Sequence, residues 1–172
     1  MRSKGFVFLI MLFSILLINR GLVSAIDLKY TDFYKYLIDL KDWKASKPTG
    51  SEMKSPMGNT ISSERTYRQG DREMHVEIVL GQAAYGLWTP FTMGMTFEND
   101  EELFKTTKIK GLPAGLNHRK KDKNGAVLVL LTNKPEFVVL FMINYLNMEY
   151  QDVLKIAEQF PLEKLHKELN KL

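Results

Sequence analysis

Two apolar runs late in the chain, residues 126–131 and 137–143, predict the centre of a β-sheet. Both runs consist entirely of aliphatic residues, phenylalanine and methionine. The polar break between them contains Asn133 and Pro135, which favour a turn over a continued strand. Because a strand that is apolar on both faces must be covered on both faces, we expect these runs to form a central hairpin with other layers on each side.

A second hairpin is predicted earlier in the chain. Apolar and mostly polar residues alternate over residues 73–80, which indicates a half-buried strand. Residues 60–69 predict its partner, joined to it by a turn at Gly70-Asp71. The partner is more polar and is therefore expected nearer an edge of the sheet.

Two more strands are predicted between this hairpin and the central one. They cover residues 103–111 and 115–121, and a turn at residues 122–125 follows them. The Asn124-Gly125 pair favours a tight turn with positive φ, which is a strong hairpin signal. The turn leads directly into the first apolar run, so the four strands are expected to form an antiparallel meander.

Apolar residues recur at spacings of three and four near both ends of the chain, which predicts helices there. The first helix is expected over residues 31–41, with Thr31 as its cap. Another is expected over residues 148–160, after a cap at Asn147, and its inward residues should be Val153, Ile156, Ala157 and Phe160. A final apolar stripe is predicted to close the edge of the core or, alternatively, to dock a partner helix: Leu162, Leu165, Leu169 and Leu172.

The segments between these elements are less regular. Residues 81–97 predict a short or broken helix that packs Trp88 and Phe91 on the sheet, because glycines and Pro90 interrupt its helical spacing. Residues 44–59 contain two prolines and two glycines and predict a long loop. Loops of that length are often functional, so this loop is a candidate site.

The predicted fold class is α+β, a single domain with an antiparallel sheet of about five to seven strands covered by N- and C-terminal helices. The sequence contains no internal repeat and no low-complexity tract. We therefore expect a leader over residues 1–25 and one exported domain over residues 26–172.

The N-terminus predicts a Sec signal peptide. Arg2 and Lys4 form a short basic region, and residues 5–18 contain no charged residue. Small residues precede Ala25, which predicts cleavage after that residue and a periplasmic or secreted protein. An uncleaved anchor is the alternative, although the apolar run is shorter than the roughly 20 residues of a spanning helix. In that case the leader would be the only contact with a membrane.

Charge and cysteine content exclude several classes of protein. The 24 basic and 20 acidic residues give a formal charge of +4, but Arg2, Lys4 and Arg20 lie in the leader, which leaves +1 for the remainder. This balance gives no reason to expect a nucleic-acid partner. The absence of cysteine excludes disulfides, thiol catalysis and Cys-ligated metals. Catalytic and nucleotide-binding motifs are also missing, so we expect no enzyme activity and no cofactor.

One predicted strand carries a candidate metal or acid–base site. Glu73, His75 and Glu77 alternate along it, which places their side chains on one face at intervals of roughly 6.5–7 Å. Together with Glu64 or Arg68 from the neighbouring strand, they have the chemistry of a small metal site. A solvated face that carries charges is the alternative interpretation.

The methionines suggest a second metal hypothesis. Met53 and Met57 lie four residues apart in the predicted loop, Met74 is adjacent to His75, and Met93 and Met95 form another pair. Thioether and imidazole groups suit Cu(I), so these residues with His75 are typical of copper handling. Methionine is also a flexible core filler, but the polar surroundings of Met53 and Met57 favour exposure.

A basic cluster is predicted at the tip of a hairpin, where His118, Arg119, Lys120 and Lys121 are consecutive. Such a tip has the charge to contact lipid headgroups, cell-wall polymers or an acidic partner. A solvated turn is the alternative. This tip and the loop with its two methionines are the candidate partner-binding residues.

Several short motifs carry a resemblance to a known family. They are residues 40–43 (LKDW) at the end of the first helix, Arg65-x-Tyr67 in the first hairpin, and residues 108–114 (KIKGLPA). In their order the chain resembles small bacterial periplasmic domains, with an α/β/α build similar to the photosystem II extrinsic-subunit (PsbP-like) fold. The resemblance covers most of residues 28–165. It implies a fold and an export compartment, and it implies no reaction.

Three functions are compatible with the sequence. The leading hypothesis is a non-enzymatic exported domain that binds an envelope protein or another cell-envelope component. A periplasmic protein that handles copper or zinc is the first alternative. The second is a lipid or hydrophobic-ligand carrier in which Trp88, Phe91 and Met93 line a cavity between sheet and helix.

Overall fold

A computed structural model describes residues 28–56, 58–134 and 137–172 of the chain. These residues form an antiparallel sheet of nine strands with helices packed against it. The strands are β1 Lys44–Ala45, β2 Thr49–Ser55, β3 Gly58–Gln69, β4 Arg72–Gly81, β5 Phe97–Glu98, β6 Glu102–Ile109, β7 Leu112–Arg119, β8 Asn124–Lys134 and β9 Phe137–Leu146. The helices are a 3₁₀ helix Tyr30–Tyr36, α1 Gln82–Trp88, a 3₁₀ turn Thr89–Phe91, α2 Tyr150–Ala157 and α3 Leu162–Leu169.

The two apolar runs lie in β8 and β9, at the centre of the sheet as predicted. The strand order is β1-β3-β4-β9-β8-β7-β6-β5, and β2 pairs with β3. Strands β6 to β9 are neighbours in chain order, which confirms the predicted meander. The predicted hairpin of β3 and β4 is also confirmed, with a turn at Gly70, where φ is +62°. The α+β antiparallel class is therefore correct, but the sheet has more strands than predicted.

The sheet buries side chains on both faces. On the first face, Tyr67, Met74 and Val76 belong to a large core that also contains buried residues of the first 3₁₀ helix, α2 and α3. On the second face, a smaller core joins Val79 and Leu140 of the sheet to buried residues of the segment that follows β4: Ala84, Trp88 and Phe91. The expectation that Trp88 and Phe91 pack on the sheet is confirmed.

The N-terminal helix differs from its prediction. It is a seven-residue 3₁₀ helix, with the Asp32 carboxylate accepting a hydrogen bond from the Lys29 amide at 2.8 Å. The backbone leaves the helical region at Leu37, where φ is −88° and ψ is +68°. Leu37 and Leu40 are nevertheless buried. Their spacing therefore reflects packing against the sheet and not a continuous α-helix.

Residues 44–59 are not a loop, so that prediction is wrong; the segment is mostly β-strand. It contains β1, β2 and the start of β3, and β2 pairs with β3 from Thr49↔Glu64 to Ser55↔Gly58. Gly50 has a packing role there, because a Cβ atom at this position would lie 2.6 Å from the Ser62 carbonyl oxygen. Glycine and serine in this stretch permit a close strand pairing that composition alone does not reveal.

Two local predictions near the chain turns also need correction. In the turn before β8, the residue with positive φ is Lys123 (+48°), whereas Asn124 and Gly125 already belong to the strand. Asn147 does not cap α2, because the N-cap residue is Glu149. Asn147 has a φ of +56° and donates a side-chain hydrogen bond to the Asp71 carbonyl at 2.8 Å. It therefore fastens the β9–α2 turn to the β3–β4 turn.

The inward positions of α2 agree with the prediction, and those of the final stripe agree in part. Val153, Ile156, Ala157 and Phe160 are buried, as are Leu162, Leu165 and Leu169, whereas Leu172 is exposed. No helix among the described residues has the length and apolarity to cross a membrane. The predicted signal peptide falls on residues that lie outside the described part of the chain.

A substitution at Gly125 tests how closely β8 packs against its neighbouring strands. A Cβ atom there would lie 2.0 Å from the Asn117 carbonyl oxygen and 2.8 Å from the Tyr145 hydroxyl. We expect Gly125→Ala to lower the free energy of unfolding by at least about 1–3 kcal/mol, measured by urea denaturation. Gly86→Ala is the control, because its Cβ meets nothing within 4 Å and helix propensity favours it by about 0.5–1 kcal/mol. Equal stability changes for the two variants would contradict this account.

Candidate functional site

The second face of the sheet is only half covered. Beyond the apolar residues under α1, a concavity of about 400 Å³ opens to solvent across β4, β9, β8 and β7. We call it the polar concavity. It is lined by Glu73, His75, Asn117, Arg119, Asn124, Gly125, Ala126, Asn144, Tyr145 and Leu146.

Strand register explains why these side chains meet. His75 pairs with Asn144, which pairs with Ala126, which in turn pairs with Asn117. Neighbouring strands lie about 4.8 Å apart, so one row of side chains crosses four strands. The full row, from one side of the sheet to the other, is Thr66, His75, Asn144, Ala126, Asn117, Phe104 and Phe97.

The three predicted metal ligands share this face, but their carboxylates do not converge. Glu73 accepts a hydrogen bond from Arg68 Nε at 2.7 Å, which lowers the pKa of Glu73. Glu77 accepts a hydrogen bond from Ser62. His75 Nε2 lies 3.1 Å from a Glu64 carboxylate oxygen. Among the described residues, no group of three or more histidine or acidic side chains is placed to hold a metal ion.

The methionines of the copper hypothesis are also dispersed. Met53 is 61% exposed in β2, whereas Met74 is fully buried in the first-face core. Because His75 is adjacent to Met74 in a strand, their side chains point to opposite faces. Met93 and Met95 are exposed. Met57 lies outside the described residues, so its predicted role in partner binding stays a prediction.

Arg119 and three asparagines, Asn117, Asn124 and Asn144, are the available polar groups of the concavity. None of the described carboxylates lies within 4.0 Å of the Arg119 guanidinium, and the side chains of Asn117 and Asn144 make no hydrogen bond within the described part of the protein. Sequence reasoning identified none of the three asparagines as a site residue. The signal for Asn144 was its position as the first polar residue at the end of the second apolar run.

His118 does not belong to an exposed basic tip, so that part of the prediction is wrong. In β7 it alternates with exposed residues and points inward, and it is only 2% exposed. Its Nδ1 atom lies 2.9 Å from the Tyr145 hydroxyl, and its Nε2 atom lies 3.9 Å from a Glu149 oxygen. Burial lowers the pKa of His118 and raises the pKa of Tyr145.

The rest of the basic cluster is split between different surroundings. Lys120 binds Glu98 through its ammonium group at 2.8 Å, and Lys121 is exposed in the turn. Arg119 instead faces the polar concavity. Consecutive residues in a strand point to alternate faces, and this separates the cluster that the sequence suggested.

An exposed apolar segment borders the same face. From Gly81 to Phe97 the chain has no charged residue, and Phe91 fixes this segment by stacking on Phe104 at 4.5 Å between ring centroids. Gly115 makes room for this ring, since a Cβ atom there would lie 2.4 Å from it. The outward side chains are Tyr85, Leu87, Met93, Met95 and Phe97, all at least 41% exposed.

The residues proposed to line a carrier cavity have different surroundings. Trp88 and Phe91 are buried and contact each other at 5.6 Å between ring centroids, whereas Met93 is 76% exposed. A separate cleft of about 630 Å³ lies between the first 3₁₀ helix and α3. Its walls combine apolar residues with charged residues: Leu28, Thr31, Asp32, Phe33, Lys35, Tyr36, Leu165, Glu168, Leu169, Lys171 and Leu172.

Comparison of the chain with family models, with curated proteins and with solved structures finds no match. The resemblance to PsbP-like periplasmic domains therefore stays a prediction.

The buried His118 predicts a measurable pH dependence. Its pKa is lower in the folded protein than the ordinary 6.5, so the unfolded chain binds a proton more readily. The free energy of unfolding should therefore fall as pH decreases through 6.5 towards the folded pKa. Urea denaturation at pH 7.5 and pH 5.5 (about one unit either side of the ordinary value) should show a smaller fall for His118→Gln than for the wild type.

A direct measurement covers the case in which His118→Gln does not fold. NMR titration of the His118 ring in the wild-type protein should give a pKa below 6.5. A pKa at or above that value would show that the ring is not desolvated in the way described.

Proposed function

We propose that this protein is an exported, non-enzymatic binding domain that recognises a polypeptide segment of a partner protein on the second face of its sheet. The observation that carries this proposal is the placement of the polar concavity and the exposed apolar segment on one face. Phe97 and Asn117 stand in the same cross-strand row, two strands apart, which corresponds to about 10 Å. One partner segment can therefore contact both.

The concavity has the chemistry to hold a carboxylate or a peptide group. A guanidinium group presents a planar fork of donors that matches a carboxylate in two parallel hydrogen bonds. Arg119 has no ion-pair partner within the described structure, and Asn117 and Asn144 add amide donors and acceptors on the adjacent floor. These groups favour a partner segment with an acidic side chain or a C-terminal carboxylate.

The exposed apolar segment supplies the apolar part of such an interface. Aromatic residues and methionine are enriched where proteins bind one another, and methionine adapts to irregular partners. Large exposed apolar patches are uncommon on monomeric proteins and often mark binding sites. Here Phe91 and Trp88 hold the segment to the sheet while Tyr85, Met93 and Phe97 face solvent.

A hydroxyl, an imidazole and a carboxylate lie in a row on β3 and β4, in the order that serine hydrolases use. Thr66 Oγ1 lies 3.4 Å from His75 Nδ1, and Glu64 lies on the other side of the ring. All three residues are in the middle of paired strands, where backbone amides are used by the sheet ladder. Such a setting offers no pair of free amides to stabilise an oxyanion, so the arrangement favours a structural contact between the strands.

A charge reversal at Arg119 tests the proposal. A photo-crosslinking amino acid at Leu146, which is 50% exposed at the rim of the concavity, should capture the partner in cells. Arg119→Glu in the same chain should reduce that product about ten- to a hundredfold, because a hydrogen bond to a charged group contributes roughly 1.5–3 kcal/mol. Quantitative immunoblotting of the crosslinked product measures the change.

Lys164→Glu is the matched control, since it makes the same charge change on α3, away from the concavity. It should leave the product intact. A product that is insensitive to Arg119→Glu, or lost equally in the control, would contradict recognition at the concavity.

A second candidate function, binding of a hydrophobic ligand, is favoured by the cleft beside α3. Its volume of about 630 Å³ lies within the 300–1,000 Å³ typical of ligand sites. Apolar side chains from Leu28 and Phe33 face Leu165 and Leu169 across it. Lys171 at its rim would suit the anionic end of an acyl chain, whereas the Lys35 ammonium group is paired with Glu168 at 3.1 Å.

A long-chain fatty acid is a suitable probe for this cleft. Native mass spectrometry should detect a one-to-one complex with the purified protein, and Leu172→Glu should weaken it several-fold, because Leu172 lines the cleft and is 56% exposed. The Lys164→Glu variant should bind as the wild type does. Binding that survives Leu172→Glu unchanged would place the ligand elsewhere.

A further inference from the structure

Strand β2 leaves one of its sides without a partner in the described part of the sheet. It pairs with β3 from Thr49↔Glu64 to Ser55↔Gly58, and the sheet order gives it no other neighbour. The side chains from Ser51 to Lys54 are exposed. An edge strand of this kind offers backbone donors and acceptors to another strand.

The hydrogen bonds of Thr66 show which backbone groups of β3 face β2. Its carbonyl accepts from the Ser46 amide at 2.9 Å, and its amide donates to Ser46 Oγ at 3.2 Å. The backbone of Thr66 therefore points to the side on which β1 and β2 lie. Because backbone direction alternates along a strand, the same holds for Thr60, Ser62 and Glu64.

The register then assigns the free groups of β2. Thr60, Ser62 and Glu64 stand opposite Met53, Ser51 and Thr49, so those three β2 residues bond to β3. The intervening residues direct their N–H and C=O groups away from β3, since direction alternates. These outward residues are Gly50, Glu52 and Lys54.

We propose that this edge binds a second copy of the chain, with the two β2 strands antiparallel across a two-fold axis at Met53. A two-fold contact requires a surface that complements itself. Centring the pair on Met53 places Glu52 of each copy opposite Lys54 of the other. The outward backbone groups of both residues then face each other, which provides about four interchain hydrogen bonds.

Other antiparallel registers lack this match. Backbone direction requires outward residues to stand opposite outward residues. Centring on Glu52 or on Lys54 places like charges opposite each other, which is destabilising. Centring on Ser51 places Glu52 opposite Gly50 and gives Lys54 no acidic partner. Only the register centred on Met53 pairs both charges of both copies.

Met53 gives the contact an apolar centre. It is 61% exposed, and in this register the two Met53 side chains lie directly opposite each other on the same face. The backbone N–H and C=O groups of Met53 point towards β3 and not towards the second copy. The two opposing Met53 residues therefore form a non-hydrogen-bonded pair, the kind in which side chains come closest. About five residues of each strand take part, so the interface is smaller than the roughly 1,200 Å² of stable complexes. We expect a weak, concentration-dependent dimer.

Cysteine crosslinking tests the register. The chain has no cysteine, so Met53→Cys introduces a single thiol that the two-fold axis places opposite its copy. A non-hydrogen-bonded pair has Cα atoms about 4.5 Å apart, within the range for a disulfide. Mild oxidation should give a covalent dimer at least about tenfold faster than for Ser51→Cys, whose copies would stand roughly 13 Å apart. Equal rates for the two variants would overturn the proposal.

Charge exchange tests the same contact without crosslinking. Glu52→Lys or Lys54→Glu alone should raise the dimer dissociation constant several-fold, measured by sedimentation equilibrium, because each change opposes like charges. The double variant should restore the wild-type constant. A double variant no better than the single ones, or a wild-type protein that stays monomeric at millimolar concentration, would show that the edge does not bind a second copy. Neither experiment depends on Arg119, so its outcome is independent of the proposed partner site.

Discussion

The fold depends on burying one hairpin on both of its faces. In β8 and β9, Val127 and Ile143 are fully buried in the first-face core, while Leu128 and Leu140 are buried in the second. Each such side chain contributes about 1.5–3 kcal/mol when it leaves water. Two covering layers are therefore needed, and the chain supplies them from different places: its ends cover the first face, and the segment after β4 covers the second.

The segment that covers the second face is too short to cover all of it. The candidate site lies on the part of that face that remains uncovered. Helix α1 has seven residues, and the apolar positions of the sheet end where its cover ends. Beyond that boundary the same central strands carry Ala126 and Asn144 on this face, and the only large apolar residue that follows, Leu146, is half exposed at the rim of the concavity. One face of an antiparallel sheet can remain in contact with water where its side chains are polar, because water hydrates them. The result is a solvated concavity whose polar groups are available to a partner.

Elements that depend on local periodicity were predicted correctly from the sequence. Elements that depend on contacts between residues far apart in the chain were not. The apolar runs, the meander and the inward residues of α2 follow from spacing. Strand β2 is polar and has no apolar alternation, and only its pairing with β3 makes it a strand. For the site, Glu73, His75 and Glu77 were correctly placed on one face, but their partners depend on cross-strand register. The prediction that His118 is exposed was wrong because it treated four consecutive residues as one surface. In a strand, a step of one residue moves the side chain to the opposite face.

The two edges of the sheet differ in the charged residues that their strands carry. Proteins commonly protect edge strands with lysine, which repels another copy, and β6 carries Lys105 and Lys108 beside the very short β5. Strand β2 instead carries one acidic and one basic residue on either side of an exposed methionine. Opposite charges two residues apart do not repel a second antiparallel copy; they select one register for it. The edge distant from β5 therefore has the features of a specific contact, while the polar concavity remains open on the face between the two edges.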